Sequence, residues 1–190
     1  MAILKIARMG HPVLKQRAAE VADPTAPAIR RLVGDMLDTM RDAEGAGLAA
    51  PQVHVGLRVV IFHVPAARAA AEEGHGEDEA SAPRGLTVLV NPLIEPLSQE
   101  TADGLEGCLS VPGLRGMVPR FTRIRYRALT PEGELIDRIA SGFHARVVQH
   151  ECDHLDGILY PRRMSDLDTL MFTSELKHWI EGQAPVTEDA

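Results

Sequence analysis

The stretch that most restricts this chain is "RVVQHECDHLDGILY", residues 146 to 160, because it is apolar almost all round and yet carries ionisable groups. Val147, Val148, Leu155, Ile158 and Leu159 surround His150, Glu151 and His154, a pattern that suits a helix only inside a protein. Burying three such groups is costly unless each has a partner. A metal ion would supply one. Residues four apart share a helix face, so both imidazoles can meet one cation, while Glu151, about a quarter-turn round, is left to handle water. Two core histidines satisfied by backbone carbonyls remain the plainer alternative. Cys152 faces away from the histidines and reads as a small core residue.

The third ligand decides the chemistry. An extended HExxHxxGxxH pattern would place it at 160, but Tyr160 stands there. Glu175 lies downstream at a spacing that suits a zinc endopeptidase. Cys108 lies upstream in "EGCLSVPG" (106–113), read as a short loop between strand-like segments whose thiolate could swing onto the helix. A metal-binding module without catalysis is a third possibility. A structural clip would have no need of Glu151 or of the amide of Gln52.

With 190 residues, 45% of them hydrophobic, the chain can bury one substantial core, so a single domain spanning 1–190 is expected. The net charge of -7 weighs against sequence-specific nucleic-acid binding. No window reaches membrane-spanning length, and two cysteines hardly make a disulfide framework. Helical periodicity covers 28 to 42, with Gly45 and Gly47 expected to end the helix. "LRVVIFHV" (57–64) and "LTVLVNP" (86–92) read as buried strands. Between them, 65–85 is rich in alanine, acid, glycine and proline, and is expected to be a mobile insertion.

Ile124, Tyr126 and Ala128 alternate with Arg123, Arg125 and Arg127, and "TPEGE" turns the chain into "LIDRIA", a hairpin with one wet face. Ser141 is placed to cap a helix that stops near Gly157, and 166–182 suggests a last helix. The expected class is α+β: mostly antiparallel sheets packed around a central helix bearing HExxH, with an N-terminal and a C-terminal helix.

Three segments, "GAGLAAPQ" (45–52), "EGCLS" (106–110) and "QHECDHLDG" (149–157), resemble, in order, the GxGxAAxQ, EGCxS and QHExDHLxG motifs of the peptide deformylases. The surrounding text, "SGFHARVVQHE" and "RMSDLDTLMF", is similar to the subgroup that includes mitochondrial deformylases. The resemblance implies hydrolysis of the N-formyl group from the initiator formyl-methionine of nascent polypeptides. It implies Cys108, His150 and His154 as metal ligands and Glu151 as general base and acid. It also implies Gln52 and the Leu109 amide as oxyanion donors, and Gly47 and Arg115 as peptide contacts. Val147 and Val148 are candidate walls for the methionine side chain, with core packing the equal alternative.

Iron(II) is the implied metal, with nickel, cobalt or zinc as substitutes, although thiolate and imidazole alone would suggest zinc. Transient association with the ribosome goes with such a substrate. No transit peptide is visible, so a bacterial cytosolic enzyme is expected over a processed organellar one.

Overall fold

The computed structural model describes residues 2–64 and 85–183. The expected insertion lies outside the described residues except at Gly85, where a strand begins. Five strands form one sheet in the order β1-β2-β3-β6-β7: β1 (Gly47–Ala49), β2 (Val59–Val64), β3 (Gly85–Pro96), β6 (Arg123–Leu129) and β7 (Leu135–Ser141). Three more, β4 (Thr101–Cys108), β5 (Val111–Phe121) and β8 (Met171–Phe172), form a second sheet in the order β4-β5-β8. Every strand pair in both sheets is antiparallel. Helices α1 (Pro27–Asp42), α2 (Gly142–Leu155) and α3 (Leu176–Gln183) complete the architecture.

Strand β2 shows why its sequence is almost continuously apolar. Successive side chains point to opposite faces. Val60, Phe62 and Val64 join Leu89, Tyr126, Val148 and Leu155 in a cluster beneath α2. Val59 and Ile61 join Met36 and Met40 in a second cluster beneath α1. A strand covered on both faces has no polar side to show. Strand β6 has one wet face instead, and its residues alternate between exposed and buried. Arg125 is bonded twice to Asp137 at 2.7 Å, and Arg127 lies 3.7 Å from Glu95, so the exposed row is charge-compensated.

Several expected boundaries move. α1 ends at Asp42, before the glycines, because Glu44 takes the left-handed turn at φ +51. β3 runs past Asn91 through a register shift to Pro96, and the Asn91 side chain bonds both backbone polar groups of Val21. The segment 166–182 is helical only from Leu176: a 3-10 turn, the short strand β8 and a second 3-10 turn come first. Pairing of Leu114 with Phe172 and Arg115 with Met171 holds this part extended, so tertiary pairing overrides its helical pattern.

Helix α2 begins as expected, but Ser141 makes no side-chain cap. Gly142 instead donates its backbone N–H to the Thr122 carbonyl. At the other end Gly157 has φ +70, and a Cβ there would stand 2.6 Å from the Lys15 backbone carbon. That close approach lets the N-terminal segment pass under the helix end, where Ala18 donates to the Leu155 carbonyl. Among the described residues no helix is long and apolar enough to cross a membrane.

His144, in the first turns of α2, is 7% exposed and lies 3.2 Å from the Tyr126 hydroxyl. Burial, aided by the Arg138 charge, pushes its imidazole down from 6.5 to about 4. Between those values the unfolded chain binds a proton that the folded one does not, so stability falls as pH drops from 6.5 towards 4. The loss is at most about 3 kcal/mol. Urea unfolding at pH 7.5 and 5 should show that His144→Gln loses part of the pH dependence seen in the unsubstituted protein. Equal slopes would contradict this.

Candidate active site

Cys108 ends β4, and only Leu109 and Ser110 separate it from β5. The expected short loop is therefore a tight hairpin end, and it brings the thiol to the helix. Cys108 Sγ lies 3.4 Å from His154 Nε2, and the ligand atoms of Cys108, His150 and His154 all fall within 4.8 Å of one another. Glu175 is elsewhere: it is exposed and takes a hydrogen bond from Ser174. The three-ligand set with Glu175 is not what the fold assembles.

Whether these groups suit a cation can be judged from their other contacts. His150 Nδ1 is 2.8 Å from Glu106, which leaves Nε2 as its nitrogen for a metal. His154 is 1% exposed and its Nε2 faces the thiol. A sulfur and two imidazoles at this spacing match the donor set of a transition-metal site. Glu151 is 5% exposed and its Oε2 has no partner among the described residues. Burial pushes its carboxyl up to about 7, as expected of a group poised to take and give a proton near neutral pH.

A cavity of roughly 650 Å³ opens beside these residues. Gly47, Gln52, Cys108 and Leu109 line it, as do Arg115, Val147, His150 and Glu151. Val147 and Val148 both pack in the core cluster, but Val148 is not among the residues that line the cavity. Gln52 is fixed at both ends of its amide: Oε1 accepts from the Ala49 N–H at 2.8 Å, and Nε2 points to Ser110 Oγ at 3.1 Å and Cys108 Sγ at 3.5 Å. Its donor is thus aimed at the ligand set. A methyl group at Gly47 would overlap the Glu151 carboxylate, so this glycine makes room for that carboxylate beside the candidate ligands. The Arg115 side chain runs along Gly107 at the cavity edge.

The sequence reading assigned no role to the ionic frame behind the ligands. Arg120 donates to both oxygens of Glu106, at 2.9 and 3.0 Å, and also to Asp153. Arg146 donates to Glu106 at 2.9 Å, and Arg163 donates twice to Asp153. Burial alone would raise the Glu106 carboxyl, but hydrogen bonds from His150 and Arg120 hold it down to about 2. Glu106 could have been found from its spacing, since residues two apart on a strand share a face, and Cys108 is two on. Arg120 carries no local signal. Its partners come from a different strand and from the helix.

The model of the polypeptide deformylase family matches residues 3–169. The chain belongs to the polypeptide deformylase family. It is 52% identical over 174 residues to peptide deformylase 2 of Ralstonia nicotianae, covering 92% of this chain and 94% of that one. It is 52% identical over 171 residues to peptide deformylase 1 of Bordetella pertussis, covering 90% and 93%. Among solved structures, the Met-Ala-Ser-bound class I type b peptide deformylase of Acinetobacter baumannii superposes with a TM-score of 0.72 at 36% identity, covering 86% of this chain and all of the other. The peptide deformylase of Ehrlichia chaffeensis gives 0.77 at 34%, covering 88% and 91%. The deformylase architecture of mixed helix and antiparallel sheet is thus shared over nearly the whole of each chain.

Proposed function

We propose that this deformylase works through a divalent cation held by Cys108, His150 and His154, with Glu151 carrying the proton. The reaction itself is that of the family: the formyl group is removed from nascent peptides and leaves as formate. The observation that carries the residue assignment is the convergence of the three candidate ligand atoms within 4.8 Å beside the buried Glu151, one of whose carboxylate oxygens has no partner among the described residues.

When bound, the cation would acidify a water and draw charge from the formyl oxygen. Glu151 takes a proton from the water that attacks the formyl carbon. As the carbon–nitrogen bond breaks, the same proton passes to the departing amine. The Gln52 amide and the Leu109 N–H donate to the formyl oxygen as it gains negative charge. Gly47 and Arg115 hold the peptide backbone, and Val147 forms part of the wall around the methionine side chain. The tripeptide Met-Ala-Ser bound by the Acinetobacter relative has the composition such a product would have.

Iron(II) is the metal we assign, with nickel, cobalt or zinc able to replace it. We also assign the protein to the bacterial cytosol, as a single domain that meets its substrates at the ribosome. Formate release from formyl-Met-Ala-Ser, measured anaerobically on iron- or nickel-loaded protein, tests the activity. Cys108→Ser should lose both metal and turnover, and Glu175→Ala should keep both. The reverse pattern would return the site to the endopeptidase arrangement.

A further inference from the structure

Helix α2 presents one row of side chains to the cavity. Phe143, Arg146, Val147, His150 and Glu151 all line it, at the three- and four-residue spacing that puts them on one face. An arginine in that row, one turn before His150, needs explaining beside a pocket for an apolar side chain. The Arg146 side chain is only 14% exposed. Its guanidinium donates to the carbonyls of Val118 and Ala102, both at 2.7 Å, and to Glu106 at 2.9 Å. With its charged head held by β4 and β5, the arginine has its methylenes left for the cavity. The head is seated on Gly104 of β4. A Cβ there would stand 2.6 Å from Arg146 Cζ and 2.7 Å from Nε and Nη2, so the seat exists only because residue 104 has no side chain. Arg146 lines the cavity and Gly104 does not, so the guanidinium stands between the two.

We propose that Arg146 is a specificity-determining residue: lodged on Gly104, it closes the end of the pocket that receives the first side chain of the formylated peptide and limits the length of that side chain. The proposal rests on the reading given above, in which the methionine lies against α2 beside Val147. A side chain running along α2 away from the ligands meets the arginine before it can reach Gly104. Loss of the head would open the volume over Gly104 to a longer substrate. A side chain at 104 would act in the opposite sense, because it forces the head off its seat towards the cavity, the side that β4 and β5 leave free.

The test measures kcat/KM of the metal-loaded full chain on formyl-X-Ala-Ser peptides, with X norvaline, methionine or 2-aminooctanoate. Arg146→Met keeps a straight stem without the charged head. It should raise the preference for the 2-aminooctanoyl peptide over the methionyl one by about tenfold, the lower end of what a methylene decides in an apolar pocket. Gly104→Ala should shift preference the other way, towards norvaline, and adding Arg146→Met to it should restore the methionyl peptide. If Arg146→Met does not fold, the ratios of Gly104→Ala decide alone. Equal losses on all three peptides, with the ratios unchanged, would make Arg146 a brace between helix and hairpin; they would overturn the proposal and leave the deformylase reading standing. No formate from any of the peptides with the unsubstituted protein would overturn both.

Discussion

Glu151→Gln is expected to keep its metal and to lose deformylation by about 10³-fold, within the range that a positioned acid–base group contributes. The substitution preserves the shape of the side chain next to Gly47, where a methyl group would already collide with it. What it removes is the ability to accept a proton. In the cation-free protein, burial holds the carboxyl at about 7, and a nearby positive charge draws it lower. Since only the ionised form can act as base, kcat/KM should rise as pH increases through that lowered value, and this acid limb should be missing from the residual activity of the variant. Metal analysis together with the pH profile checks both points. Full metal content with nearly normal turnover would rule Glu151 out.

Arg120→Met should be the most destabilising single change near the site. It leaves Glu106 and Asp153 buried without the guanidinium that bridges them. Breaking one side of a buried ionic group typically costs about 3–5 kcal/mol, a large share of the roughly 5–15 kcal/mol that holds a domain folded. Arg125→Met is the control, because its bond to Asp137 is on the exposed face of β6 and such pairs contribute about 1 kcal/mol or less. Denaturant unfolding of the two metal-loaded variants should separate them clearly.

The two variants should also differ in acid. Glu106 has a depressed pKa, so its contribution to stability is complete above about 4.5 and is lost as pH falls towards about 2. Without Arg120 the carboxyl rises, and acid unfolding should begin at a higher pH. Equal stability losses in the Arg120 and Arg125 variants would show that the buried frame does not hold the site together.

The parts of this fold that could be read from the sequence are those in which local pattern and tertiary environment agree. The apolar run of β2, the alternation of β6 and the periodicity of α1 each record which faces are covered. Strands β4 and β5, expected only as strand-like segments on either side of a short loop, left a much weaker record. "TADGLEGC" has no β-branched residue after its threonine, and β5 contains Pro112, Gly113, Gly116 and Pro119, all of which suggest a loop. They pair because they share buried ionic partners and because Tyr160 and Met164 pack over Gly116, which are long-range facts.

The same division runs through the site. Each motif holds residues whose spacing carries chemistry: His150 with His154 on one helix face, Gln52 after its turn, and Cys108 near Glu106. Arg120 and Arg163 reach the helix only after folding. Tyr160, which as a sequence position merely closed off one ligand pattern, turns out to lie against the ring of His150.

The tight turn after Cys108 has a mechanical consequence. The thiol belongs to the three-stranded sheet, whereas both imidazoles ride on a helix packed against the five-stranded sheet. An ion shared among them, as proposed, would be a rivet between two layers, and neither layer could peel away without releasing it. The affinity of the site for such an ion would then be a cohesive force between the two layers, set by the concentration of free metal around it. A cell short of that metal would weaken the protein's catalysis and its architecture together.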